Sequence, residues 1–98
     1  MAAYLLAVCE ITKPGPGLKE YSEKSAELIK KNGGEYVLRG PAAMDIEGDV
    51  LKGKVVILSK FPSLDDVNAF VNGDEYQAHV KPLREGTGDY HIAVYETP

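Results

Sequence analysis

The sequence predicts an α+β fold in which four strands form one antiparallel sheet and two helices cover one face of it. The first observation is the order of the segments, whose hydrophobic periods run strand, helix, strand, strand, helix, strand. The second is that two of the strands are apolar on both faces, so both faces need a covering layer. A chain of 98 residues supplies one core, and we expect residues 1–98 to form a single domain.

The first strand is predicted over residues 4–11, which read YLLAVCEI. Successive side chains of a strand point to opposite faces of the sheet. One face therefore carries Tyr4, Leu6, Val8 and Glu10, and the other carries Leu5, Ala7, Cys9 and Ile11. Both faces are mostly apolar. The prolines and glycines of residues 13–17, KPGPG, predict a turn after this strand.

The first helix is predicted over residues 18–32, where apolar residues recur three, four and seven positions apart. These residues are Leu18, Tyr21, Leu28 and Ile29. The outer face is charged, and two ion pairs with a spacing of four residues are expected on it: Glu20 with Lys24 and Glu27 with Lys31. The Asn-Gly-Gly sequence at residues 32–34 tolerates the positive φ that often ends a helix.

Residues 35–39 and 54–61, which read EYVLR and KVVILSKF, predict the second and third strands, with a loop or irregular hairpin over 41–53. Ser63 and Asp66 resemble a capping box for a second helix. That helix carries Leu64, Val67, Phe70 and Val71. A short helical segment follows, with Tyr76 and Val80 aligned until Pro82 disturbs it. The last strand is predicted over residues 89–96.

This order is that of the ferredoxin-like, or split βαβ, fold. Both helices of such a fold cover one face of the sheet, and the other face stays bare. The apolar second face of the strands therefore predicts that two copies pack bare face to bare face as a homodimer, forming an α/β barrel. Each large apolar side chain covered in this way contributes about 1.5 to 3 kcal/mol.

Composition and charge exclude several classes of partner. The net charge is −4 and the basic residues are scattered, so we expect no nucleic-acid partner. No run approaches the ~18 apolar residues of a membrane helix, so we expect no membrane partner. Cys9 is the sole cysteine and has apolar neighbours, which predicts a buried, unreactive thiol and no disulfide. The basic start of a signal peptide is absent, and we expect a cytoplasmic protein.

Three residues are candidates for a ligand site. Arg39 ends the second strand and Arg84 follows a Lys-Pro-Leu corner; each offers a fork of donors for a carboxylate or an enolate. The alternative for both arginines is a salt bridge to a neighbouring carboxylate. Tyr76 offers a hydroxyl as an acid or orienting group. The alternative for Tyr76 is that its ring packs in the core.

His79 and His91 are the only imidazoles, and each is a candidate general base or ligand contact. On a helix His79 shares a face with Tyr76, and on the last strand His91 shares a face with Ala93 and Tyr95. The alternative is that both are exposed or structural. We expect no metal site, because no His or Cys pair has ligand spacing. No motif for dinucleotides, triphosphates or serine hydrolysis is present.

Three segments together resemble the family known as domain of unknown function 1330, within the dimeric α/β-barrel superfamily. They are KKNGGEYVLRG at residues 30–40, KFPSLDDVNAF at 60–70 and GDEYQAHVKPLREG at 73–86. The chain departs from the family pattern at three places. Pro41 stands where a second glycine often follows Arg-Gly, Lys60 where an acid often stands, and Phe70 where tryptophan is common. An acidic role at position 60 therefore does not carry over.

The resemblance implies a fold rather than a reaction, since relatives in the superfamily include monooxygenases, isomerases, polyketide cyclases and binding modules. Our first hypothesis is a small, possibly acidic, organic ligand between sheet and helices, with cofactor-independent proton-transfer, isomerase or cyclase-like chemistry. The second is a non-catalytic dimeric module. The third is a haem-binding, monooxygenase-like protein with His79 as the axial ligand. Whether the protein is an enzyme stays open, and we expect no cofactor.

Overall fold

The computed structural model describes residues 2–98; Met1, which the predicted domain includes, lies outside the described residues. The strands are β1 (Ala2–Ile11), β2 (Glu35–Pro41), β3 (Val55–Phe61) and β4 (Gly88–Thr97). The helices are α1 (Gly17–Lys31) and α2 (Leu64–Val71). A π-helical turn (Glu75–Val80) and a 3₁₀ turn (Lys81–Arg84) precede β4. The predicted order of strands and helices is confirmed.

The four strands form one antiparallel sheet in the order β2-β3-β1-β4, which confirms the ferredoxin-like fold. The strand β1 is central. Its residues Leu5, Ala7 and Cys9 pair with residues of β3 and β4 on the side of the sheet that the helices cover. The opposite side has no covering layer within residues 2–98. We call it the bare face and define it by Tyr4, Leu6, Val8, Val56, Leu58, Ala93 and Tyr95.

The strand β2 contains a β-bulge. Tyr36 pairs with Ser59 and Leu38 pairs with Leu58, so that Val37 is an extra residue in the ladder. An extra residue shifts the alternation of side chains by one position. Tyr36 and Arg39 are three apart in sequence and would lie on opposite faces of a regular strand. Because of the bulge, both lie on the helix-covered side.

The helix α1 packs on the sheet through Leu28 and Ile29, which are buried. The predicted pair of Glu20 and Lys24 forms, with 3.5 Å between the charged atoms. The pair predicted for Glu27 and Lys31 does not form in the described chain, because Lys31 turns towards Glu75, 3.9 Å away. The amide of Gly34 then donates to the carbonyl of Ile29 over 2.8 Å and closes the helix end.

The predicted capping box starts α2. The Ser63 hydroxyl oxygen accepts from the Asp66 amide over 3.2 Å and lies 2.8 Å from the Asp66 carboxylate. The buried side of α2 carries Val67 and Phe70, which are 1 % and 4 % exposed. The Phe70 ring stacks on Phe61 of β3 with 5.9 Å between centroids. This aromatic pair fixes α2 on the helix-covered side, and Phe70 also lines the cavity described next.

Candidate functional site

A cavity of about 590 Å³ lies between the sheet and the helices. We call it the central cavity. Its floor is the apolar middle of the sheet, where Ala7, Cys9, Val55, Ile57 and Ile92 face the helices. Its roof comes from α1 and from the π-helical and 3₁₀ turns, which supply polar side chains. The volume falls within the range typical of sites for small organic molecules, about 300 to 1,000 Å³.

Two tyrosines meet in the roof. The hydroxyl of Tyr21, on α1, lies 2.9 Å from the hydroxyl of Tyr76, on the π-helical turn, and the two rings meet edge to face. Tyr76 is 5 % exposed and its ring also lies 4.9 Å from that of Phe70. Burial raises the pKa of Tyr21, and the hydrogen bond to Tyr76 raises it further. At neutral pH the Tyr21 hydroxyl therefore keeps its proton and is able to donate a hydrogen bond.

Arg84 lies beside this pair at the end of the 3₁₀ turn. Its guanidinium carbon is 4.3 Å from the centroid of the Tyr90 ring and 5.9 Å from that of Tyr21. Burial lowers the pKa of Arg84, but its interactions with the three neighbouring tyrosines raise it more, so that the net shift is upward. Within residues 2–98 no carboxylate forms a salt bridge with Arg84. Its Nε atom is buried and has no hydrogen-bond partner there.

Arg39 reaches the central cavity from the opposite edge of the sheet. Its Nη2 atom donates to the hydroxyl of Ser22 on α1, and its guanidinium carbon lies 5.0 Å from the centroid of the Tyr36 ring. It too has no carboxylate partner among the described residues. The sequence left open that Arg39 and Arg84 form salt bridges with neighbouring carboxylates. Within residues 2–98, neither arginine does so.

The charge of the central cavity is opposite to that of the chain. Three cations line it, Arg39, Lys81 and Arg84, and no Asp or Glu of the described chain does. The chain as a whole carries −4. Cationic walls around an apolar floor attract organic anions, because opposite charges interact strongly at short range.

Two further polar groups lie in the cavity wall. Ser25 is 7 % exposed, and its hydroxyl has no hydrogen-bond partner in the part of the chain that the structure describes. Cys9 is buried as predicted; burial raises the pKa of its thiol, and the charge of Arg84 partly opposes this.

The two histidines do not join the predicted group. His91 is exposed on the side of β4 that faces away from the helices, opposite Val8, and does not line the central cavity. His79 is exposed and also lies outside it, although Tyr76 is buried. We expected Tyr76 and His79 to share a face because we expected this segment to be an α-helix. The segment winds as a π-helix, with more residues in each turn, so the third residue after Tyr76 points elsewhere.

Sequence reasoning did not single out Tyr21, Ser25, Lys81 or Tyr90 as site residues. Tyr21 was assigned to the apolar side of the first helix, and its hydroxyl was the available signal. A buried tyrosine hydroxyl needs a partner, and the structure supplies Tyr76. The position of Lys81 depends on how the 3₁₀ turn folds back onto the sheet, for which local patterns give no signal. Tyr90 lies on β4, where strand alternation places it on the same face as Ile92.

A comparison of the sequence with models of known protein families identifies the family of the chain. The model of the family described as domain of unknown function (DUF1330) matches residues 2–98. The chain belongs to the DUF1330 family. This confirms the resemblance carried by the segments at residues 30–40, 60–70 and 73–86. Among curated proteins none matches this DUF1330 chain.

Solved structures similar to this DUF1330 protein share its fold at low sequence identity. A protein of unknown function from Rhodopseudomonas palustris is 16 % identical, with a TM-score of 0.74 over 99 % of this chain and 82 % of that one. SnoaB, a cofactor-independent oxygenase from Streptomyces nogalater, is 8 % identical, with a TM-score of 0.65 over 99 % and 93 %. A NIPSNAP family protein from Agrobacterium tumefaciens is 14 % identical, with a TM-score of 0.60 over 100 % and 94 %.

The described part of this DUF1330 protein contains neither a cluster of metal-ligating side chains nor a helix able to cross a membrane. In the region from residue 2 to residue 98, no three side chains of His, Cys, Asp or Glu lie together as metal ligands would. None of the helices there combines the length and the apolar character that crossing a membrane requires.

Proposed function

We propose that this protein binds a small organic acid in the central cavity, with the acidic group held by Arg84. The observation that carries the proposal is the state of Arg84: a partly buried guanidinium that lines the cavity, lies between two aromatic rings and has no carboxylate partner in the described chain. The N–H groups of a guanidinium donate hydrogen bonds to the oxygen atoms of a carboxylate or an enolate. The apolar floor suits a hydrocarbon or aromatic body.

The chemistry that this arrangement supports is protonation of an enolate or stabilisation of its oxygen. Arg84 would balance the negative charge, and Tyr76 with Tyr21 would donate a hydrogen bond or a proton. The upward shift in the pKa of Tyr21 suits a donor and not a base at neutral pH. No Asp, Glu or His of the described residues lines the cavity, so a proton acceptor would have to come from the substrate or from water. Binding is therefore the primary proposal, and cofactor-independent proton transfer is its extension.

A thermal-shift experiment with benzoate and octanoate, and their neutral amides as controls, tests the binding proposal. We expect the acids to raise the melting temperature of the native protein and the amides to have a smaller effect. Arg84→Gln should abolish the difference between acid and amide. Lys60→Gln is the matched control, because it removes one positive charge from an exposed residue that does not line the cavity. Equal shifts for the native protein and Arg84→Gln, or no shift with either acid, would overturn the proposal.

We also propose that the chain, as one domain, forms a homodimer through its bare face. Tyr95 on this face is 55 % exposed and pairs with Tyr4 of β1, which is followed on the same face by Leu6 and Val8. The loop between β2 and β3 adds four exposed apolar side chains: Met44, Ile46, Val50 and Leu51. A second copy would cover an apolar surface of this kind with an identical one, using a single patch twice.

The dimer proposal predicts a mass of about twice 10.6 kDa by light scattering at micromolar concentration. Leu58→Lys puts a charge in the middle of the bare face and should give a monomer. Leu64→Lys puts the same charge on the exposed side of α2 and should leave the dimer intact. A monomeric native protein, or a dimer that survives Leu58→Lys, would contradict it.

A further inference from the structure

We infer that the ligand of the central cavity carries two acidic groups, one bound by Arg84 and the other by Arg39, at the ends of an apolar body. This inference rests on the proposed function and deepens it, since it names the class of acid as a dicarboxylate. The observations behind it are the strand register, the surroundings of the two arginines and the absence of acidic side chains between them in residues 2–98.

The strand register sets Arg39 and the β4 side of the cavity at opposite edges of the sheet. Arg39 pairs with Ile57, Ile57 pairs with Ala7, and Ala7 pairs with Ile92. The four residues form one row across the sheet, facing the helices. Neighbouring strands lie about 4.8 Å apart, so the row is about 14 Å long between its end residues. Arg39 therefore stands at one end of the floor.

Arg84 stands at the other end. It stacks on Tyr90, which lies on β4 two residues from Ile92 and faces the same side of the sheet. Its second aromatic neighbour, Tyr21, precedes Ser22, the hydrogen-bond partner of Arg39. The two guanidiniums thus approach consecutive residues of α1 from opposite edges of the sheet. Both guanidiniums therefore belong to the wall of the same cavity.

The floor between the two arginines is apolar. Ala7 and Ile57 form it in the row itself, and Cys9 and Val55 continue it in the next row. A carboxylate placed there would lose water without gaining a partner, which costs several kcal/mol. The acidic groups of a ligand therefore belong at the two ends, and its hydrocarbon part belongs over the floor.

The two arginines differ in how firmly they would hold an anion. Arg84 is partly buried among aromatic rings, whereas Arg39 is exposed and already donates to Ser22. An exposed ion pair contributes less than about 1 kcal/mol, because water screens it. We therefore assign the larger part of the affinity to Arg84, and to Arg39 the discrimination of a diacid from a monoacid.

Isothermal titration of the full-length protein with matched acids tests this inference. The diacids terephthalate and suberate are compared with the monoacids benzoate and octanoate. Phthalate is the charge-matched control, since it has the composition of terephthalate but its two carboxylates are adjacent and cannot reach both ends. We expect at least one of the two diacids to bind about fivefold more tightly than its monoacid, and phthalate to show no such gain.

Arg39→Gln and Arg84→Gln separate the two proposals. Arg39→Gln should reduce the affinity for the preferred diacid to that for its monoacid and leave the monoacid unchanged, whereas Arg84→Gln should weaken both. If neither diacid gains over its monoacid, or if the gain survives Arg39→Gln, the dicarboxylate inference is wrong while the proposed function stands. If the monoacids do not bind, or bind Arg84→Gln equally well, the proposed function itself fails.

Discussion

The hydroxyl oxygens of Tyr21 and Tyr76 lie 2.9 Å apart, and this contact joins α1 to the π-helical turn across 55 positions of sequence. One of the two hydroxyls donates to the other, so one hydrogen remains free to point into the central cavity or towards another acceptor. Arg84 lies beside them and lowers the pKa of Tyr21, but burial and the interactions with Tyr76 raise it more. The pair can thus present a hydrogen-bond donor to an anion without ionising itself.

The raised pKa of Tyr21 predicts that the protein loses stability in alkaline solution. An unfolded tyrosine titrates near pH 10, where Tyr21 in the folded protein still holds its proton. Above about pH 10 the unfolded chain binds fewer protons than the folded one, so the free energy of unfolding falls as the pH rises. Below about pH 10 Tyr21 is protonated in both states and does not reduce the free energy of unfolding. Tyr21→Phe should make this fall shallower, by up to about 1.4 kcal/mol per pH unit.

Urea unfolding at a series of pH values measures this slope. Val67→Ala is a suitable control, because it removes a buried side chain that does not titrate and should lower the whole curve without changing its slope. Part of the decline should remain in Tyr21→Phe, since burial also raises the pKa of Tyr36. Identical slopes for the native protein and Tyr21→Phe would show that Tyr21 ionises equally easily in both states.

Tyr76→Phe should lower the pKa of Tyr21 but not return it to the ordinary value. Burial is the largest cause of the upward shift and stays in place, while the hydrogen bond and the charge interaction with Tyr76 are lost. The free energy of unfolding should fall by about 1 kcal/mol at neutral pH, the usual contribution of one hydrogen bond. The absorbance of the phenolate during alkaline titration reports the pKa. A Tyr21 that titrates as before would mean that the two hydroxyls are not hydrogen-bonded in solution.

The thiol of Cys9 should react slowly with iodoacetamide, because burial raises its pKa and only the thiolate is nucleophilic. The charge of Arg84 acts in the opposite direction, so Arg84→Gln should move the midpoint of the rate's pH profile upwards. The midpoint separates this effect from a change in access, which would scale the rate at every pH. The urea-unfolded chain gives the reference. A midpoint that is lower in Arg84→Gln than in the native protein would contradict the account.

Local sequence patterns were sufficient for the order of the elements and for several of their ends. The two-faced alternation of residues 4–11 predicted a strand that needs a covering layer on both faces, and β1 is one of the two inner strands of the sheet. Ser63 and Asp66 predicted the start of α2 because a cap is formed within four residues. Interactions of this kind depend on neighbours in the chain, which the sequence displays directly.

The assembly of the site was less predictable, because it depends on two departures from regular geometry. The bulge at Val37 brings Arg39 to the helix-covered side, where strict alternation would have put it on the face opposite Tyr36. The π-helical winding buries Tyr76 while leaving His79 exposed. Both arise from tertiary packing against the rest of the fold. The residue types of Arg39, Tyr76 and Arg84 indicated polar function, but only the fold shows that they line one cavity.

The close approach of Gly34 to the core provides a test of the packing beside the cavity. A Cβ atom at this position would lie 2.7 Å from the ring of Phe61 and 2.8 Å from the side chain of Ile29, both of which are buried. Neither neighbour can retreat easily, because Phe61 stacks on Phe70. Gly34→Ala should therefore lower the free energy of unfolding by about 1 to 3 kcal/mol, the usual cost of overpacking.

Gly15→Ala is the matched control for this prediction. The nearest atom that its Cβ would meet is the Thr87 methyl carbon, 3.9 Å away, which is an ordinary contact. Since alanine also restricts the unfolded chain, Gly15→Ala should be neutral or stabilise the protein by about 0.4 to 1 kcal/mol. The midpoints of urea unfolding compare the two variants directly. If Gly34→Ala were as stable as Gly15→Ala, the ring of Phe61 would not pack against the end of α1, and Phe70, which stacks on Phe61 and lines the cavity, would have to be placed differently.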